Sequence, residues 1–253
     1  MTVLKDDWEF NVLGVYNYRK SGSKEALFSF IRDNHDAIPG DIVEAGVYKG
    51  NTLLALGMFL KEIGSKKIVY GYDSFEGFPL EAYHEYDLST QFERLLGEGR
   101  LSEEHYRAVI KNRKWREALT KEAMTTDSSS TSGNFGDTNL NLINNKIKIL
   151  ELDNIKIVPG SFSVTFPQPG NLPEKTMAVL MDCDLYESYR TVFASVWPSL
   201  STGGMIFLDE YYSLKFPGAR IATDEFCAIY DARLEMAPFI PGDFERWYLI
   251  KRN

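Results

Sequence analysis

Residues 178–181 form an apolar run that ends abruptly in Asp182-Cys183-Asp184, and a second run over residues 205–208 ends in Asp209-Glu210. Buried strands that release carboxylates at their C-terminal edge mark the place where open α/β sheets bind ligands. One βα unit separates Asp182 from Asp209, so the two acids are expected to end adjacent strands. Together with Glu210 they offer three oxygen ligands to a hard divalent cation, and magnesium, which keeps about six oxygens at roughly 2.1 Å, would fill its shell with water and substrate hydroxyls. A cation there makes a coordinated hydroxyl more acidic, and Asp182 is placed to take its proton. Asp184 has a weaker claim to that role and is expected to cap the following helix or to support the site from behind.

A second constellation lies upstream. Glu44-Ala45-Gly46-Val47-Tyr48-Lys49-Gly50-Asn51-Thr52 runs from a strand into a helix start. Gly46 and Gly50 permit close backbone approach, the helix N-terminus offers free N–H groups to a carboxylate, and Glu44 can accept from an ammonium group. The stretch therefore suits a ligand with an amino-acid head. Tyr48 stands where a dinucleotide fingerprint would need a second close glycine. Asp73-Ser74 ends the next strand, where a carboxylate can accept from both hydroxyls of a ribose. Gly160, Ser161 and Phe162 follow a third strand and are expected beside the base or the amino-acid chain of the same ligand, although a simple turn explains Pro159-Gly160 equally well. His84 sits on the loop beyond Asp73 as a candidate base or substrate-positioning group. His35 and His105 read as surface or packing histidines.

These groups need a scaffold, and the pattern supplies an α/β one. A helix is expected over residues 23–36. It is followed by a strand over 41–47, a helix over 51–63 capped by Asn51 or Thr52, and a strand over 67–73, which make one βαβ unit. Strands ending at residues 158, 182 and 209 continue the series. Residues 234–240 and 244–251 are strand-like and separated only by Pro241-Gly242-Asp243, a gap that permits a hairpin and forbids a helical crossover. A mostly parallel seven-stranded sheet closed by an antiparallel hairpin is the topology of methyltransferases that use S-adenosylmethionine. Residues 1–253 are read as one domain, with residues 1–38 an N-terminal helical segment and residues 75–153 a long insertion acting as a mobile lid.

Composition narrows the function further. The chain has 253 residues, 44% of them apolar, and a formal charge of -8. No Lys/Arg-dense run offers a footprint for nucleic acid or anionic lipid, so a small molecule is the expected partner. The two cysteines, Cys183 and Cys227, fall inside apolar patterns and read as reduced core thiols. No apolar run approaches the length of a membrane span, and acids stand where a signal peptide would be apolar, so a cytoplasmic protein that neither spans nor binds a membrane is expected. The N-terminal aromatics Trp8, Phe10, Tyr16 and Tyr18 are candidates for a contact between copies or for a flap over the ligand.

The blocks 41–50, 71–79, 182–188 and 203–210, including Tyr72-Asp73-Ser74-Phe75-Glu76-Gly77, resemble the macrocin O-methyltransferase family across most of residues 40–230. The resemblance implies the class I methyltransferase (Rossmann-like) fold, S-adenosylmethionine as donor, Mg2+ as metal and a sugar or glycoside hydroxyl of a natural product or glycan as acceptor. It maps the family's three metal acids onto Asp182, Asp209 and Glu210, the first doubling as general base; the family usually has aspartate where Glu210 stands. The alternatives are an iron-dependent hydroxylase on the same sheet and a non-catalytic module that binds S-adenosylmethionine. Iron sites of the first kind favour two histidines and a carboxylate, and the three histidines here show no paired spacing.

Overall fold

The computed structural model describes residues 3–20 and 22–252. In chain order it contains α1 (Asp7–Leu13), α2 (Glu25–Asn34), β1 (Asp41–Ala45), α3 (Asn51–Glu62), β2 (Val69–Asp73), α4 (Gln91–Gly97), α5 (Glu103–Thr120) and α6 (Leu140–Ile149). There follow β3 (Ile155–Pro159), α7 (Phe162–Thr165), β4 (Thr176–Met181), α8 (Tyr186–Val196), β5 (Leu200–Leu208), α9 (Pro217–Tyr230), β6 (Leu234–Met236) and β7 (Trp247–Ile250). The seven strands form one sheet in the order β3-β2-β1-β4-β5-β7-β6, parallel from β1 through β5, with β7 antiparallel to both β5 and β6. This is the class I methyltransferase architecture.

Helices cover both faces, so the central strands are mostly apolar, with Glu44 a buried acid in β1. Every residue of β4 is buried, and side chains alternate between two cores. Val179 and Met181 pack with α8, α9 and the insertion helices, whereas Ala178 and Leu180 pack with α1, α2, α3 and α6. Helix α3 is buried from Thr52 to Leu60, and this accounts for its lack of a polar stripe. The aromatic N-terminus belongs to the second core. Phe10 and Tyr18 are buried, Tyr16 and Tyr18 stack on Phe28, and only Trp8 of the four aromatics faces solvent, at 63% exposure. Tyr16 and its neighbours therefore spend most of their apolar surface inside this chain.

Two local expectations are corrected. Helix α3 is preceded by Gly50 in the left-handed region (φ 82), and neither Asn51 nor Thr52 caps it. The hairpin strands are shorter than their apolar patterns, because pairing stops at the Ala237 N–H to Arg246 carbonyl bond. Beyond that point Arg246 turns inward to Asp209 and Asp243, which converts the intervening residues from ladder into loop. The segment between β2 and β3 carries α4, α5 and α6 and is tied to the rest of the fold. Asp87 accepts from the N–H of Tyr186 at the start of α8, Arg100 pairs with Asp224 of α9, and the buried ring of His105 bonds the Ser213 carbonyl at 2.7 Å. Among the described residues no helix is long and apolar enough to cross a membrane.

Candidate active site

Helix α3 carries the chain from β1 to β2 on one face of the sheet, and α8 carries it from β4 to β5 on the other. Between β1 and β4 the connections therefore diverge, and there, at the C-terminal ends, opens a cleft of about 340 Å3. Its floor depends on Gly46. That residue has φ +96, and a Cβ on it would lie 1.7 Å from the Asp182 carbonyl oxygen. The ends of β1 and β4 can close on one another only because Gly46 has no side chain.

One half of the cleft is built from β1, β2 and the start of α3. Glu44 is 1% exposed, and its Oε2 has no hydrogen-bond partner among the described residues. Burial, then the nearby charge of Asp182, pushes its carboxyl well above the usual carboxylate range. A buried acceptor without a donor is costly, so Glu44 is set to receive a cationic donor from a ligand. Glu44→Gln is accordingly expected to raise the melting temperature of the ligand-free protein while weakening S-adenosylmethionine binding about 10- to 100-fold, the worth of a charge-assisted hydrogen bond. Parallel thermal melts and calorimetric titrations check both signs.

Asp73 ends β2 and is held by the neighbouring backbone. Its Oδ2 accepts from the N–H groups of Val47 and Tyr48, both at 2.8 Å, and its Oδ1 from Phe75 N–H at 2.7 Å. Asp73 thereby fixes the β1–α3 loop and also lines the cleft. Tyr48, held at φ 50, lines the cleft and donates its hydroxyl to Asp137. Gly46, Asn51, Thr52, Ser74, Ser161 and Phe162 line it as well, with the Ser161 hydroxyl donated to Glu81 at 2.6 Å. Gly50 and Gly160 are not among the described lining residues. Gly50 packs under Ile143, and Gly160 donates its N–H to the Asp73 carbonyl.

The other half ends in Asp182 and Asp184, and behind Asp182 stand two further acids, Asp209 and Glu210, which are not among the described lining residues. Asp182, Asp209 and Glu210 present carboxylate oxygens that all lie within 4.8 Å of one another. Two cations that sequence reasoning did not find reach them. Lys24 Nζ lies 3.1 Å from Asp182 Oδ2 and 2.8 Å from Asp209 Oδ1, and Arg246 Nη1 lies 3.3 Å from the same Asp209 oxygen. Burial alone would raise the Asp209 carboxyl, yet Lys24 and Arg246 outweigh it and hold it at about 2. For Asp182 burial prevails over Lys24, and its carboxyl is raised. Burial also raises Glu210, helped by the charges of Asp184 and Asp182, although Tyr189 donates its hydroxyl to Glu210 Oε2 at 2.7 Å. Three acids with one strongly ionised member form a donor set suited to a hard cation.

Asp184 does not cap α8. The cap position belongs to Leu185, and Asp184, at φ 63, is buried in the cleft wall beside the other acids. His84 is placed away from them. Its Nδ1 accepts from Tyr86 N–H, its ring lies 4.6 Å from those of Tyr86 and Tyr186, and it is not among the described lining residues. Its position on the insertion is thus set by a turn and by ring packing.

The model of the macrocin O-methyltransferase (TylF) family matches residues 27–154 and 137–237, which include both halves of the cleft. The chain belongs to the macrocin O-methyltransferase family. Membership makes it an S-adenosylmethionine-dependent O-methyltransferase by class. It is 27% identical over 233 residues to the demethyldecarbamoylnovobiocin O-methyltransferase of Streptomyces niveus, covering 91% of this chain and 73% of that one. It is 25% identical over 193 residues to the mycinamicin III 3''-O-methyltransferase of Micromonospora griseorubida, covering 76% and 61%. The fold is similar to that of the O-methyltransferase NovP, with a TM-score of 0.61 at 20% identity over 90% of this chain and 80% of that one. A calicheamicin methyltransferase gives 0.59 at 19% identity over 96% and 78%. The two stretches matched by the macrocin O-methyltransferase model overlap at residues 137–154, so the join falls within the insertion between β2 and β3.

Proposed function

We propose that this macrocin O-methyltransferase family member transfers a methyl group from S-adenosylmethionine to a sugar hydroxyl of a natural product or glycan, with magnesium at Asp182, Asp209 and Glu210. The observation that carries the reading is the meeting of those three carboxylates, within 4.8 Å of one another, beside a cleft lined by buried Glu44, whose Oε2 has no partner among the described residues. Two relatives named as O-methyltransferases of novobiocin and mycinamicin intermediates support the acceptor class.

S-adenosylmethionine would supply an electrophilic methyl group whose bond to sulfur breaks as the bond to the acceptor oxygen forms. Magnesium, when bound, would supply positive charge that makes the acceptor hydroxyl more acidic. The remaining work belongs to the chain. Glu44 accepts from the ammonium group of the donor, and the amides at the start of α3 meet its carboxylate. Asp182, which lines the cleft and also belongs to the acid trio, takes the hydroxyl proton. Phe78 and Phe135, whose ring centroids lie 5.3 Å apart in the wall, limit water at the reacting atoms. His84 enters this scheme only as a group that positions the insertion loop or assists as a second base.

The test is S-adenosylhomocysteine formation with a panel of nucleotide sugars and sugar-bearing natural products, with added Mg2+ and with chelator. Product is expected with at least one sugar acceptor, falling at least about tenfold under chelation and returning with Mg2+. Failure to bind S-adenosylmethionine would sink the whole proposal, and full turnover in chelator would remove the metal.

A further inference from the structure

Lys24 stands before the first turn of α2, outside every block by which the sequence resembles its family, and yet it is 7% exposed, with its ammonium group between two members of the acid trio. The contact spans 158 residues to Asp182 and 185 to Asp209. A lysine buried this far from its own helix surface gives up hydration and the freedom of a long side chain, which only paired carboxylates repay. The backbone holds it in place: the Lys24 carbonyl accepts from Phe28 N–H, Lys24 N–H meets the Tyr16 hydroxyl, and Tyr16 N–H bonds the Asn51 carbonyl at the start of α3. The lysine is thus tied to the loop that builds the cofactor half of the cleft.

An ammonium nitrogen sits about 2.8 Å from the oxygens it serves, whereas magnesium sits at about 2.1 Å and excludes any other cation from the same gap. Arg246 does not compete in this way. It approaches Asp209 from the hairpin loop, shares itself with Asp243, and makes no contact with Asp182. We infer that Lys24 is a tethered occupant of the divalent-cation site, which neutralises Asp182 and Asp209 in the metal-free protein and must withdraw its ammonium group when a divalent ion binds. This rests on the metal reading proposed above and deepens it. The chain carries its own competitor, so metal affinity is set lower than three carboxylates alone would give, and metal entry is coupled to withdrawal of the Lys24 side chain.

The decisive experiment has two readouts, neither of them turnover. Calorimetric titration with Mg2+ and Mn2+ compares the wild type with Lys24→Met and Lys24→Gln. Loss of the tethered charge is expected to tighten metal binding about tenfold or more. Because the variants expose two carboxylates to one another and can lose stability, the wild type is also labelled with an amine-acylating reagent and mapped by mass spectrometry. Lys24 is expected to be protected in chelator and to become reactive on addition of metal, while lysines elsewhere keep their rates. Metal binding with unchanged or weaker affinity in both variants, or continued protection of Lys24 in metal-saturated wild type, overturns the inference and leaves the metal site standing. Absence of metal binding by all three proteins overturns both together.

Discussion

Asp182→Asn is expected to lower kcat for methyl transfer by about 10²- to 10⁴-fold, the range over which a positioned general base contributes, while S-adenosylmethionine affinity stays within a few-fold of wild type. The asymmetry follows from the position of Asp182. It lies on the cleft wall at the end of β4 and presents Oδ2 to Lys24, whereas the donor half is fixed by Glu44, by Asp73 and by the backbone at the start of α3. Asparagine is nearly the same size and still accepts a hydrogen bond from Lys24, so the wall keeps its shape. What disappears is one negative charge and the site that receives the proton. Single-turnover rates with a competent acceptor, beside calorimetric cofactor affinity, separate the two effects. A kcat near wild type would assign the proton to another group, with Asp184, buried beside it, the first to examine.

Gly46→Ala is the substitution expected to do most harm to the fold at the site. At φ +96 an alanine is strained by about 1–3 kcal/mol before any contact is considered. Its Cβ would in addition stand 1.7 Å from the carbonyl oxygen of Asp182, and that neighbour is backbone with no rotamer in which to retreat. Relief requires β1 and β4 to part where the N–H of Asp182 bonds the Ala45 carbonyl at 2.9 Å, and it strains the bond from the Gly46 N–H to the Tyr72 carbonyl of β2, also 2.9 Å. A loss above about 3 kcal/mol is expected, which at this chain length lowers the melting temperature by roughly 6–12 °C and abolishes cofactor binding. Denaturant unfolding and cofactor titration measure both. A melting temperature and cofactor affinity like those of the wild type would mean that the strand ends separate freely, contrary to the packing described above.

The positions legible in the sequence share a property. Asp73, Asp182 and Asp209 each stand where an apolar run turns polar, and Glu44 stands within a strand just before the glycine-bearing turn, signals confined to a few neighbouring residues. The strand that precedes each acid fixes its place at the sheet edge. Details beyond these depend on competition that a local pattern does not encode. For Asp73 the sequence does not show that the β1–α3 loop folds back so that two of its N–H groups bond the carboxylate. For Asp184 two places were open, a cap on α8 or a position behind the site, and the left-handed turn there excludes the cap and buries the side chain in the cleft wall. The strand pattern of the hairpin continued past its end because apolar alternation does not reveal that Arg246 is drawn to Asp209.

The sequence by itself therefore determined the order of the strands along the chain, the antiparallel finish, the glycine-bearing turn and the acids at each strand end. All follow from local periodicity and from the preference of buried strands for apolar side chains. Only the tertiary structure decided which cations face those acids. Lys24 and Arg246 come from opposite ends of the chain and meet at Asp209 because α2 packs under β4 and β5 while the hairpin folds over their ends. Long-range pairing of this kind is enforced by the closing of two cores around one sheet, and no run of neighbouring residues carries its signature.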